Sequence, residues 1–172
     1  ENKMEVWEYV SKEYETSPGI PIPLCNIVGG WHGTNDFQEF LFFPVSQDSF
    51  SDSIFKIVDA YREVGKILKE EDPEFNYGKN LECAWVSSLS YGKILGIMRD
   101  VADDYMLKIG IDAAGSQIYK DGYYHYRGNV KLNSHEQLAF IEGVVRKFPV
   151  SYIEDPFQED DWLSFSTATG RW

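Results

Sequence analysis

Residues 107–112 read LKIGID and residues 150–155 read VSYIED, two apolar runs of strand length that each close on carboxylates. Between them, Ser134 opens a stretch of helical periodicity that runs to about Phe148, just before Pro149. Ser134 and Gln137 stand three apart, the spacing of a capping box. Strand, helix and strand at this separation predict a βα repeat of the kind that builds parallel sheets and barrels. Within the first connection, AAGSQIYKDGYYHYR carries Asp121-Gly122, which predicts a small hairpin. After the second run, Pro156 ends the strand and EDDWLSFS predicts a further helix, its acids suited to a helix N-terminus.

Working outward, PIPLCNIV (residues 21–28) predicts a short strand ending at Gly29-Gly30, and QEFLFFPV (residues 38–45) predicts a second buried strand. The two are too close for a helix to lie between them. From Ser49 to Glu71 the pattern is helical, with Phe50, Ile54, Ile57, Val58, Tyr61, Val64, Gly65 and Leu68 near one face. Ser49 or Ser51 can cap its start, and Asp72-Pro73 stops it. Residues 74–91 mix Gly, Asn, Ser and aromatics and predict no regular element; a second helix covers Gly92 to Tyr105. A helix around Met4 to Tyr14 precedes the turn Ser17-Pro18-Gly19. Two strands, two helices, then βα and βα again suggest a parallel barrel or sheet.

Composition narrows the function classes. The chain has 172 residues and is 43% hydrophobic, enough for one ordinary domain. Its 16 Lys and Arg stand against 28 Asp and Glu, a net charge of −12. That balance argues against nucleic acid and against an anionic membrane surface as partners. Cys25 and Cys83 are far apart and outside any CxxC spacing, so a disulfide framework is not expected and a cytosolic, cytoplasmic setting is the default. The opening ENKMEVWEYV reads like the interior of a longer protein, and ATGRW carries no closing element.

Three acids mark strand termini: Asp112 after LKIGI, Glu154 after VSYI, and Glu39, beside Gln38, at the start of EFLFFPV. In a parallel α/β barrel the carboxyl ends of the strands converge on one face, so Asp112 and Glu154 would lie side by side there. Two such carboxylates repel unless a cation lies between them or one is protonated. Hard oxygen ligands of this kind suit Mg²⁺. The same residues also serve as helix caps and turn formers, and spacing alone leaves both readings open. His32 lies in GGWHG, a backbone permissive enough to approach a ligand or move as a lid, or simply an exposed loop. His125 and His135 have no neighbours that suggest chemistry, and the YYHYR run reads as packing.

These strings together resemble a known family. IPIPLCNIVGG, a loop histidine and QEFLFFPV look like the start of the enolase barrel, and SFSDSIFKIVDAYREVGKILKE is similar to its first barrel helix. IGIDAAGSQIYKDGYYHY and SHEQLAFIEGVVRKFPVSYIEDPFQEDDW resemble the segments that carry two of its metal-ligand strands. The resemblance implies an α/β fold: a partial enolase-type (ββαα)(βα)n TIM-like barrel, first half only. Residues 1–20 would then end the segment before the barrel, and 21–172 would form its N-terminal half. It implies the reversible dehydration of 2-phosphoglycerate to phosphoenolpyruvate in glycolysis, the phosphopyruvate hydratase reaction of a carbon–oxygen lyase, with Mg²⁺ as cofactor. Asp112 and Glu154 would be metal ligands. His32, Gln38 and Glu39 would face substrate, and Glu39 would assist departure of the hydroxyl. Divalent ions on the substrate carboxylate would stabilise the charge left when its α-proton is removed.

Three departures from the family accompany the resemblance. The family's Gly-Asp-Glu-Gly-Gly loop, whose Glu is the acid for the leaving hydroxyl, has no counterpart motif in YGKNLECAWVSSLSYG. Glu82 is the only carboxylate there, and the stretch does not read as a substitute. The histidine loop GGWHGTNDFQEF is short. The third metal ligand, the Lys base, the phosphate-binding residues and the family's N-terminal domain lie outside the sequence. The expected partners are therefore the remainder of the barrel or another protein chain, and a second copy in a homodimer at full length. The alternative is an inactive enolase-like subunit with a structural or interaction role. An isolated half barrel would also leave two sheet edges and an uncovered apolar interior.

Overall fold

The computed structural model describes residues 3–30, 36–45 and 49–171. Helix α1 (Val6–Glu13) buries none of its residues. Strands β1 (Cys25–Gly29) and β2 (Glu39–Pro44) follow, then helices α2 (Phe50–Glu71) and α3 (Tyr91–Tyr105). Next come β3 (Leu107–Asp112), the single turn α4 (Gly115–Ile118), β4 (Tyr119–Lys120), β5 (Tyr123–Tyr126) and β6 (Val130–Leu132). Helix α5 (Ser134–Lys147), β7 (Val150–Glu154) and α6 (Trp162–Thr169) complete the order.

The main sheet has the strand order β1-β2-β3-β7, and a smaller one joins β4-β5-β6. Among these strands only β3 and β7 pair in parallel; β2 is antiparallel to both β1 and β3. The βα expectation of a parallel sheet therefore holds for the second part of the chain alone. The reason lies in the connections. The link from β1 to β2 is too short for a crossover. Two helices, not one, separate β2 from β3, so the chain enters β3 at the end where it left β2. The single long helix α5 then makes the parallel return to β7. The architecture is mixed α/β, and no closed barrel forms among the described residues.

Helices α2 and α3 cover one face of the sheet. Ile57, Val64 and Leu68 of α2 and Ile94, Leu95 and Met98 of α3 are buried against Phe40, Phe42, Ile109 and Ile111. Each such side chain contributes about 1.5–3 kcal/mol on full burial. The inward face of α2 is Ser53, Ile57, Ala60, Val64, Gly65 and Leu68. Phe50 and Val58 point outward, so the buried stripe is rotated from the one predicted and runs through small residues. Small residues at Ser53 and Ala60 let the helix approach the sheet closely.

Local signals are mostly obeyed, with shifts. Ser49 caps α2, accepting from the amide of Asp52 at 3.1 Å. The capping box of α5 is Asn133 with Glu136, one residue earlier than predicted. Gln137 is freed from capping and is fully buried, donating to the Pro156 carbonyl at 2.8 Å and accepting from the Tyr126 hydroxyl at 2.8 Å. Asp121 and Gly122 have φ of 53° and 85°, the left-handed pair that closes a two-residue hairpin. Residues 130–132 add a third strand to that hairpin.

The stretch 74–91, without a predicted element, runs beside β1. The amide of Trp85 donates to the Ile27 carbonyl at 2.9 Å, and the Gly29 amide donates to the Trp85 carbonyl at 3.0 Å. The outer edge of β1 is thus occupied, not bare. Asp72, which ends α2, anchors the far side of this stretch. It accepts from Ser87 Oγ at 2.7 Å, Ser88 Oγ at 2.7 Å and the Ser88 amide at 2.8 Å. Among the described residues no helix is long and apolar enough to cross a membrane.

Candidate active site

The antiparallel entry of β2 decides which acids meet. Glu39 begins its strand while Asp112 and Glu154 end theirs, yet Glu39 pairs with Asp112 and Asp112 with Glu154. Three carboxylates therefore stand in one row, on adjacent strands, at one end of the sheet. One layer below, Leu41, Gly110 and Tyr152 occupy the same face in the same register. A Cβ on Gly110 would lie 3.1 Å from Cδ1 of Tyr152, so glycine leaves room for that ring beside the strand.

Each acid is held differently. Asp112 is 9% exposed and accepts from the Ala114 amide at 2.8 Å. Burial, with the nearby charges of Glu154, Asp155 and Glu82, pushes its carboxyl up to about 6, against the opposing hydrogen bond from Ala114. Glu154 is exposed and accepts from the Tyr152 hydroxyl at 3.1 Å. Glu39 is pushed up to about 7, first by burial and then by a hydrogen bond to, and the charge of, Glu82, with smaller effects of Asp112 and Glu154. Gln38 precedes it, and the Gln38 amide donates to the Asp112 carbonyl at 2.9 Å.

Glu82 is the residue that the sequence reading passed over. It comes from the irregular stretch beside β1 and reaches the acid row from the side. The amide Nδ2 of Asn26, on β1, donates to its Oε2 at 2.8 Å. Behind it, Asn80 Oδ1 accepts from the amides of Glu82 and Ala84, both at 3.0 Å. Cys83 sits at φ 64°, a left-handed position that turns the chain just after the acid. The available signal was the isolation of Glu82 as the only carboxylate in a stretch that follows the second of two strands and a helix; the missing motif around it obscured that signal.

A cleft of about 590 Å³ opens beside the row, lined by Gly30, Phe37, Gln38, Glu82, Ala114 and Lys120 among others. Gln38 and Glu82 thus face the same space, whereas His125, also on its wall, is engaged with the Lys120 carbonyl at 3.2 Å. His32, assigned to substrate from the sequence, lies outside the described residues. No group of three His, Cys, Asp or Glu is gathered as a metal site among the described residues. Asp112 and Glu154 nevertheless fit part of a hard-cation site. Their donors are carboxylate oxygens on neighbouring parallel strands, and the negative charges of Glu154, Asp155 and Glu82 around Asp112 are of the sign that a cation would offset.

Acids collected where strand ends meet, on a mixed sheet whose later strands alternate with helices, suit the class of α/β barrels, whose sites lie at the carboxyl ends of their strands. The particular family follows from comparison. The model of the enolase C-terminal TIM barrel domain matches residues 17–172, and the chain belongs to that family. It is 34% identical over 161 residues to an enolase of Natronomonas pharaonis, covering 88% of this chain and 40% of the relative. It is 35% identical over 162 residues to an enolase of Haloarcula marismortui, covering 88% and 40%. With an enolase of Methanothermobacter thermautotrophicus it shares 30% identity over 179 residues, 96% of this chain and 42% of the relative. The chain therefore spans about two fifths of the length of these relatives.

Proposed function

We propose that this chain is the first half of the barrel of an enolase, a lyase that interconverts 2-phosphoglycerate and phosphoenolpyruvate. The observation that carries the reading is the acid row of Glu39, Asp112 and Glu154 in strand register, with Glu82 brought against Glu39 from a separate loop. In this reading Asp112 and Glu154 hold one Mg²⁺, with its remaining ligands supplied from beyond this span. That ion would offset the negative charge that develops on the substrate carboxylate as the α-proton leaves.

The chain's own residues supply the elimination side of the reaction. Glu39 keeps a proton near neutral pH, because burial and the neighbouring Glu82 disfavour its ionised form. A carboxylic acid so placed can protonate a departing hydroxyl. Gln38, on the cleft wall, would contact the substrate, as would His32. The base that takes the α-proton would come from the rest of the barrel. A homodimer in the cytoplasm, with Mg²⁺ and the phosphoglycerate as its small-molecule partners, completes the reading.

The rival reading, an inactive structural subunit, drew its support from the lost acid-loop motif. Glu82 beside Glu39 weakens that support, since it provides a carboxyl where the motif would have placed one. The experiment is direct: the full-length protein carrying this span is given 2-phosphoglycerate and Mg²⁺, and phosphoenolpyruvate is followed by its ultraviolet absorbance. Turnover at ordinary enzyme rates, about 1–1000 per second, is expected. A folded full-length protein that forms no phosphoenolpyruvate favours the inactive subunit.

A further inference from the structure

We propose that Asn26 is a positioning residue that sets the Glu82 carboxyl for hydroxyl release; the proposal rests on the enolase reading above. Asn26 lies on β1 just before the buried Ile27 and Val28, where an apolar residue would fit the sheet. Its Nδ2 donates to Glu82 Oε2 at 2.8 Å. Its Oδ1 is buried and has no hydrogen-bond partner in the structure. A buried carbonyl oxygen without a donor is costly, and nothing in the packing of β1 requires it. The amide therefore answers to the carboxyl it holds.

The chemistry follows from the direction of the bond. Glu82 is exposed, and its own loop fixes it only through backbone contacts to Asn80. Beyond its neighbour Glu39, the side chain that holds the carboxyl is Asn26. With an N–H on Oε2, a proton carried by Glu82 is directed to Oε1. In the elimination the bond between carbon and the hydroxyl oxygen breaks with its electron pair going to oxygen. The Glu82 proton joins that oxygen and water leaves. The pair left on carbon by α-proton removal becomes the new carbon–carbon double bond. Asn26 takes no part in α-proton removal.

The test separates these two half-reactions in the full-length protein with Mg²⁺ in deuterated water. Exchange of the α-hydrogen of 2-phosphoglycerate is read by proton NMR, and phosphoenolpyruvate by absorbance. Asn26→Ala should lower phosphoenolpyruvate formation about 10–100-fold, the scale of a misplaced acid, while exchange stays within about threefold of wild type. Asn26→Gln, which keeps the donor, should recover part of the loss. Retained exchange shows that the variant is folded and binds substrate. Exchange and elimination falling together, or neither falling, in variants of an active wild type overturns the role of Asn26 alone. A wild type that does neither overturns the enolase reading and this inference with it.

Discussion

Glu82 stands beside Glu39 across the gap between an irregular loop and the start of β2, and its presence adds to the burial that pushes the Glu39 carboxyl up to about 7. A carboxyl raised this far keeps its proton close to neutral pH. Neither element explains the contact alone: β2 presents Glu39 at the sheet end, and the loop beside β1 brings Glu82 to it.

From that pairing follows the first prediction. In the active full-length protein, Glu82→Gln and Glu39→Gln should each lower kcat about 100-fold or more, with KM little changed. The double variant should be only slightly worse than the singles, because the two act as one unit. Steady-state kinetics of the three variants check this. Independent, multiplicative losses would show that the two carboxyls do not work together.

Stability of this span without divalent cations should fall as the pH rises from 5 to 8. Glu39 and Asp112 both titrate above their ordinary values in the fold, at about 7 and about 6. Carboxyls of this kind favour the folded state while protonated. Their contribution is complete below the unfolded values near 4 and is lost as the pH passes through 6 and 7. Melting curves in a chelating buffer read the effect, and Asp112→Asn should flatten the part of the profile below about pH 6, leaving the fall toward 7 to Glu39. A melting temperature that climbs between pH 5 and 8 contradicts the burial and repulsion argued for the acid row.

Asp72 should act in the opposite direction and at lower pH. Burial alone would raise its carboxyl, but the hydroxyls of Ser87 and Ser88 and the amides of Ser88 and Glu74 hold it below the ordinary value. Its contribution is present above about 4 and is lost as the pH falls through its folded value. Asp72→Ala leaves the buried Ser87 hydroxyl without its acceptor and should cost about 1–3 kcal/mol at neutral pH. Chemical denaturation of the variant measures it; a loss below 0.5 kcal/mol, the range of ordinary surface changes, would show the anchor to be dispensable.

Gly29→Ala should disturb the acid loop from a distance. A Cβ there would lie 2.1 Å from Nδ2 of Asn80 and 3.0 Å from Cβ of Ala84. Asn80 cannot simply swing aside, since its Oδ1 holds the amides of Glu82 and Ala84. The expected cost is about 1–3 kcal/mol, together with reduced turnover as Glu82 shifts. Wild-type stability and activity in this variant would mean that the loop relaxes without moving its acid.

Mg²⁺ should bind this span weakly. Asp112 and Glu154 offer two carboxylates where the ion prefers six ordered oxygens. Titration calorimetry on residues 1–172 should detect millimolar affinity at best, and submicromolar binding would require ligands that the acid row does not contain.

Much of the local structure was legible in residue order. Six of the helices and strands, from Phe50–Glu71 to Trp162–Thr169, lie within a few residues of their expected limits, because periodicity, caps and prolines act over neighbouring residues. The hairpin at Asp121-Gly122 is legible for the same reason, since both positions need left-handed backbone. Errors of one residue arose where two caps compete: Asn133 takes the role expected of Ser134 because its side chain reaches the Glu136 amide.

Residue order also determined that Asp112 and Glu154 end neighbouring strands, since a single helix between two strands returns the chain in parallel. What it left open was the company those acids keep. Only the tertiary structure put Glu39 in their row, because strand direction depends on how many helices intervene and not on the strand itself. Only it brought Glu82 against Glu39, through backbone bonds from Trp85 to Ile27 and Gly29 that tie an irregular loop to the edge of β1. Those bonds join residues far apart in the chain and carry no side-chain signature, so no local pattern announces them.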